Sequence, residues 1–302
     1  MVNLFNEKTL VVWRLADMNP FTGGCHYDND CDKFIDGCGE CPSLYSNDKN
    51  DLSHKIWMRK NNLFNALPSE LLHIVTLSTW MSQKVKKSPF FSKFNVSHIP
   101  NGVDLNIFRS IKKSVAREAL DIPDKKKVVL LIAYNLAEER KGTKYAIEAL
   151  NMLQDPEEYV VITVGSSAQK LSLDLQHIHF QNILDKRLLA IFYNAADLFV
   201  IPSLQDNFPN TVIESIACGT PVVGFNVGGI PDVIETGTHG YLVDSINSKE
   251  LSDKIHEFFS SFDKRELMSL RCIEKAKEEY DLSIQAKKYM ELYDMISLSV
   301  YS

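Results

Sequence analysis

The sequence contains no apolar run approaching the roughly 20 residues that span a bilayer, no internal repeat and no low-complexity tract. A transmembrane protein built from helices and a repeat array are therefore not expected. Positive charge is not in excess either: 33 basic residues stand against 39 acidic ones, a formal net charge of −6. That balance argues against a broad phosphate-tracking surface and so against nucleic acid as a partner. The short lysine clusters at Lys84, Lys86 and Lys87 and at Lys125 to Lys127 read as solvated faces. The first residues, "MVNLFNEKTLVVWRLADM", lack the basic start, apolar core and small-residue cleavage site of a secretory signal, which predicts a cytoplasmic protein. What the chain does have is 302 residues, 45% of them hydrophobic, enough for two ordinary domains with sizeable cores.

"TLVVWRL" (9–15) and "LHIVTL" (72–77) read as short buried strands, with a helix near 50–66 between them. From about residue 128 the pattern becomes regular. "VVLLIAYN", "YVVITVG", "IHFQNI", "DLFVIPS", "PVVGF" and "GYLV" read as strands, interleaved with helices at 143–153, 186–196 and 211–218. Three further helices are expected near 248–260, 264–279 and 282–297. Continuous apolar strands alternating with helices predict a parallel sheet covered on both faces, a doubly wound α/β domain. The turn chemistry of Pro100-Asn101-Gly102 sets the division: a first domain at 1–104 and a second at 105–302 that keeps the terminal helices. Ligands of such sheets bind outside the carboxyl ends of the strands, so the loops after 134, 165, 183 and 203 are the candidate positions.

Four of the six cysteines, Cys25, Cys31, Cys38 and Cys41, fall within seventeen positions with spacing C-x5-C-x6-C-x2-C. Disulfides, a metal site and buried thiols compete as readings. A reducing compartment disfavours disulfides, and polar neighbours disfavour plain buried thiols. The expectation is a closed, structural zinc site on these four sulfurs, with His26 as a substitute ligand, although the x5 spacing is looser than usual.

Three stretches have the make-up of a ligand site. In "AEERKGTKYAIEAL", Arg140 and Lys141 precede a glycine and a helix, where two cations and free N–H groups suit a diphosphate; exposed cations are the plainer reading. In "PSLQDNFPNTVIESIACGTPVV", Asp206 and Glu214 lie eight apart and both suit sugar hydroxyls. The plainer readings are a loop turn for Asp206 and a capping box, Thr211-x-x-Glu214, for the glutamate. Gly228-Gly229 allows a close backbone approach, or simply a turn.

Taken in order, "IPNGVDLNIF", "RKGTKYAIEAL", "YNAADLFVIPSLQDNFPNTVIESIACGTPVVGFNVGGIPDVI" and "HGYLV" resemble glycosyltransferase family 4, retaining nucleotide-sugar transferases of the GT-B fold with two Rossmann-like domains. The earlier stretches "VVWRLADMNPFTGGCHY", "CGECPSL" and "LSTWMSQKVKKSP" are similar to a subgroup associated with capsule, exopolysaccharide or O-antigen assembly. The resemblance implies a nucleoside-diphosphate sugar donor, a glycan or lipid-linked acceptor with peripheral membrane contact, and no catalytic metal or protein nucleophile. It implies Lys141, with Arg140, on the diphosphate; Asp206 near the transferred sugar; and Glu214 on the ribose. Asn207, Phe208, Asn210 and Thr211 would surround sugar and phosphates, and Ile183 would support the base. The chain departs from the family pattern at Asn135, where a basic residue is common, at Pro209, where glycine is frequent, and at Ala16, followed by Asp17, where a histidine is common. The family's N-terminal domain usually has more residues before "VVWRLADM", so the first domain is expected to be incomplete. Transfer activity, nucleotide-sugar binding without catalysis, and another nucleotide-sugar enzyme such as an epimerase are the functions in competition.

Overall fold

The computed structural model describes residues 9–167 and 171–301. Two compact units form: residues up to Pro100 together with those from Lys288 onward, and Asn101–Lys287. The last helix, expected within the second domain, is here divided between the two units at Lys287/Lys288. Leu292 and Ile296 of that helix are buried in one apolar cluster with Val75 and Ile99, which ties its second half to the first unit.

The first unit runs β1 (Val11–Leu15), the cysteine-rich segment, α1 (Leu52–Ala66), β2 (Leu72–Thr76), α2 (Thr79–Lys87) and β3 (Asn95–His98). Its three strands pair in parallel in the order β1-β2-β3, with Val11 opposite Leu72 and His73 opposite Asn95. The central β2 is buried along its whole length, its polar His73 and Thr76 included. Its core is aromatic: Phe64 and Phe91 meet edge to face at 4.8 Å, and Phe90, Phe94, Trp13 and Trp57 pack around them.

In the second unit α3 (Lys113–Glu118), β4 (Lys127–Asn135), α4 (Thr143–Asn151), β5 (Tyr159–Ser166), β6 (Gln176–Phe180) and α5 (Lys186–Ala195) come first. They are followed by β7 (Leu198–Ile201), α6 (Asn210–Ala217), β8 (Val222–Phe225), α7 (Ile230–Val233) and β9 (Gly240–Val243). Three helices complete the chain: α8 (Ser248–Phe259), α9 (Phe262–Glu279) and α10 (Leu282–Tyr301). Six parallel strands lie in the order β6-β5-β4-β7-β8-β9. Val129, Leu131, Val161, Val200, Val223 and Phe225 face one core shared with Ala146, Leu150, Leu251 and Ile255 of α4 and α8. On the opposite face Tyr193 of α5 meets Phe199 at 5.7 Å. The sheet is thus covered on both sides, as the continuous strands predict. The third of these strands forms at Gln176–Phe180 rather than at 178–183, which leaves Asn182 and Ile183 in a loop.

The structure gives the zinc expectation no support. Among the described residues no group of three or more His, Cys, Asp or Glu is arranged to hold a metal ion. Cys25, Cys31, Cys38 and Cys41 all line one cavity of about 290 Å³. Burial pushes the Cys38 thiol up to about 12 and raises that of Cys25 as well. His26 turns its Nδ1 to Asp17, at 2.8 Å.

Other contacts order the segment. Phe21 and Phe34 are buried in the aromatic core, and Trp57 Nε1 donates to the Phe34 carbonyl at 2.8 Å. Asp51, at the start of α1, accepts from the Cys41 amide at 2.9 Å, and Ser53 accepts from the Gly39 amide at 3.0 Å. Lys84 of α2 reaches Asp28 at 2.6 Å and Asp32 at 2.8 Å and lies near the Phe34 ring. Lys84 is therefore no part of a solvated face: it is 8% exposed and Asp28 only 4%. Among the described residues no helix is long and apolar enough to cross a membrane.

Removing one partner of this buried pair leaves the other uncompensated, so Lys84→Met is expected to destabilise the first unit by about 3–5 kcal/mol. All three tryptophans, Trp13, Trp57 and Trp80, belong to that unit, so tryptophan fluorescence in a denaturant titration reads it selectively. An unshifted fluorescence midpoint would show that the ion pair does not hold the segment.

Candidate active site

Strand order decides where a ligand can sit. In β6-β5-β4-β7-β8-β9 the direction of winding reverses between β4 and β7, and the crevice outside their carboxyl ends is the binding place of such sheets. A cavity of about 160 Å³ lies there, lined by Leu131 to Tyr134 of β4, Val200 and Ile201 of β7, and Pro202, Ser203, Lys141, Thr143 and Thr211. A larger one, about 500 Å³, adjoins it through Leu136 and Thr143 and includes Glu138, Ile147 and Glu148.

The loops after β4 and β7 are laced together. Gly142 has φ +62°, and a Cβ there would stand 1.9 Å from the Pro202 carbonyl oxygen, so only glycine allows the approach. The Leu204 amide donates to the Arg140 carbonyl at 2.8 Å, and Arg140 Nη1 donates to the Gln205 carbonyl at 2.9 Å. This brings Lys141 Nζ to 2.7 Å from Asp206 and Arg140 Nη1 to 3.6 Å from the same carboxylate. A third loop closes on the acid's main chain. Gly229 N donates to the Asp206 carbonyl at 3.0 Å, and a Cβ on Gly228 would come within 1.8 Å of that oxygen. The glycine pair thus serves the approach of one loop to another.

The other expected residues are distributed as follows. Thr211 lines the same cavity as Lys141. Asn207 is buried, and Asn210 is exposed at the start of α6, where its side chain meets Asn101 at 2.8 Å. Phe208 is buried 5.9 Å from the Tyr280 ring, which commits its side chain to packing. Ile183 is half-buried in the loop before α5 and lines neither cavity. The Asn135 side chain accepts from the Ala137 amide, so it turns the chain at the end of β4 and offers no charge.

Glu214 does not form a capping box. The helix begins at Asn210, after Pro209, with no side-chain cap, which puts Thr211 inside its first turn. The carboxylate instead accepts a hydrogen bond from Tyr193 Oη of α5 at 3.0 Å. Burial raises the Glu214 carboxyl above its ordinary range, against the lowering effects of that hydroxyl and of Lys186. The Tyr193 hydroxyl is itself raised by full burial and by Glu214. No sequence signal marked Tyr193, because its partner lies on another helix.

Residues 112–279, more than half of the chain, match the family described as Glycosyl transferases group 1. The chain belongs to this family. It is 28% identical over 214 residues to a D-inositol 3-phosphate glycosyltransferase of Thermobispora bispora, covering 66% of this chain and 50% of that protein. It is 30% identical over 211 residues to an N,N'-diacetylbacillosaminyl-diphospho-undecaprenol alpha-1,3-N-acetylgalactosaminyltransferase of Campylobacter jejuni, covering 66% of this chain and 54% of that one. The chain thus spans about half the length of these relatives. Among solved structures, Anabaena HepE in complex with UDP-glucose aligns with a TM-score of 0.71 at 18% identity, over 97% of this chain and 74% of that one. WaaG, a glycosyltransferase involved in lipopolysaccharide biosynthesis, aligns at 0.69 and 17% identity, over 93% and 75%. The group 1 transferase fold here is the α/β GT-B fold.

Because burial raises the Glu214 carboxyl, the folded chain holds that proton to higher pH than the unfolded chain does. The group's contribution to stability is full below its unfolded value and is lost as pH rises through the folded one. Glu214→Gln keeps an acceptor for Tyr193 and escapes this loss. Its melting temperature relative to the native chain is expected to rise as pH increases above the ordinary glutamate value of about 4. A constant or shrinking difference would show that the carboxyl carries no burial penalty.

Proposed function

We propose that this chain binds a nucleoside-diphosphate sugar and transfers the sugar, with retention at the anomeric carbon, to a glycan or lipid-linked acceptor in polysaccharide assembly. The observation that carries the reading is the convergence of Lys141 and Arg140 with Asp206 outside β4 and β7, in a chain of the group 1 family. The names of the Campylobacter relative and of WaaG support a lipid-linked or lipopolysaccharide acceptor. HepE, whose structure holds UDP-glucose, supports a nucleotide-sugar donor.

In this reading Lys141 and Arg140 neutralise the diphosphate, with the first turn of α6 adding free N–H groups. Asp206 takes hydroxyls of the sugar and Glu214 those of the ribose, while Asn207, Asn210 and Thr211 surround the phosphates. The anomeric carbon exchanges its bond to the diphosphate oxygen for one to an acceptor hydroxyl, whose proton passes to the departing diphosphate. Charge grows on the diphosphate as that bond breaks, and fixed cations in a partly dry site stabilise it most where it is largest. The chain acts on the cytoplasmic side, in peripheral contact with the membrane that carries the acceptor.

Calorimetry with UDP, GDP and ADP and their monophosphates tests the donor half. A diphosphate is expected to bind more tightly than its monophosphate, and Lys141→Ala to weaken it by about 1–3 kcal/mol. Equal affinity for mono- and diphosphate would overturn the assignment. Sugar release and transfer from the nucleotide sugars of the base that binds separate a transferase from a protein that only binds them.

A further inference from the structure

In the structure the diphosphate's two expected cations already have an anion. Asp206 lies 2.7 Å from Lys141 and 3.6 Å from Arg140, and 9% of its side chain is exposed. Its main chain cannot withdraw, because its carbonyl is held by Gly229 N and packed against Gly228. Arg140 is tethered too, through Glu138 at 2.8 Å and the Gln205 carbonyl. Only side-chain rotation can separate the acid from the lysine. A diphosphate that takes Lys141 as its counter-charge therefore competes with the Asp206 carboxylate for it.

Resting on the donor reading above, we infer that Asp206 is an internal competitor for the diphosphate and so makes the site distinguish an intact donor from a spent nucleotide. When the donor carries its sugar, the displaced carboxylate accepts hydrogen bonds from sugar hydroxyls and loses little. When the sugar has been transferred, the diphosphate offers the carboxylate nothing. A carboxylate left buried without a partner is costly, so it returns to Lys141 and weakens the hold on the product. The same acid that recognises the sugar thereby promotes product release, and in the empty site it keeps two neighbouring cations neutralised.

The test uses inorganic pyrophosphate as a probe free of base and sugar, titrated into the native chain, Asp206→Asn, Lys141→Ala and the double variant. Asparagine matches the size of the buried aspartate, and melting curves verify that each variant is folded. Asp206→Asn is expected to bind pyrophosphate about five- to fiftyfold more tightly than the native chain, because the bound-competent cations no longer have to be freed. In the Lys141→Ala background the same change should give a much smaller gain, since only the more distant Arg140 is then left for the acid to mask. With the nucleotide sugar that binds best among UDP-glucose, GDP-mannose and ADP-glucose, Asp206→Asn should bind no more tightly than the native chain. An unchanged or weaker pyrophosphate affinity in Asp206→Asn would overturn the inference while leaving the donor reading standing. A gain of undiminished size without Lys141 would also overturn it, by reducing the effect to net charge. If no variant binds pyrophosphate or any nucleoside diphosphate, the donor reading fails and the inference falls with it.

Discussion

A side chain at position 142 would place its Cβ 1.9 Å from the Pro202 carbonyl oxygen, and the site depends on the absence of that atom. With glycine there, the loop after β4 can lie against the loop after β7 closely enough for Leu204 to bond Arg140 and for Arg140 to bond Gln205. Those bonds join main chain to main chain and guanidinium to main chain, so they fix positions and not merely charges. The strand order supplies the rest. Only where winding reverses do two such loops stand side by side with an open crevice between them. Lys141 and Asp206, 65 positions apart in sequence, meet because topology and one missing methyl group leave them adjacent.

An ion pair this enclosed is weak evidence for stability, since desolvation offsets much of its attraction. The side chains of Lys141 and Arg140 are 24% and 23% exposed, against 9% for Asp206, so the acid is the more deeply placed partner, and Lys141 lines the cavity. That asymmetry suits cations that await an anion from outside. It suits a fold-stabilising bridge less well, because nothing in the core requires a charge there. Lys84 with Asp28 presents the opposite case, an acid at 1% and a lysine at 10% exposure that join a loop to a helix.

Much of the second unit was legible because strands buried on both faces leave a continuous apolar record, as "YVVITVG" does for a strand buried in seven of its eight positions. The edge strand β3, "NVSH", has no such record, since only its partner β2 needs a buried face. Lys141 and Asp206 could be picked out because each sits in a local pattern, a helix start or a strand end. Glu214 could be picked out too, but its partner could not. Thr211-x-x-Glu214 has the letters of a capping box, yet with Pro209 at the cap the helix starts two residues too early for it, and the carboxylate turns across to Tyr193. Likewise the run containing Lys84 looks solvated when counted as charge. Counted as a helix, Met81, Lys84, Val85 and Ser88 fall at three- and four-residue spacing on the buried side.

The cysteine segment shows how one composition can serve two different physical ends. Gly and Asp between cysteines are what a metal-binding knuckle needs to turn tightly, and they are equally what any tight chain needs. Here Asn29, Asp30 and Asp32 adopt left-handed φ values of 47°, 58° and 48°, a region in which short polar side chains are tolerated. Gly39, at φ +96°, lies where a Cβ would meet the Lys49 carbonyl at 2.2 Å. Those turns need an anchor to hold them, and spacing alone cannot say which. The anchors lie between and beyond the sulfurs: Phe34 sits in the aromatic core, its carbonyl is capped by Trp57, and Asp28 is neutralised by Lys84. With the chain already fixed at those points, the four cysteines line one cavity, and burial raises the thiols of Cys25 and Cys38.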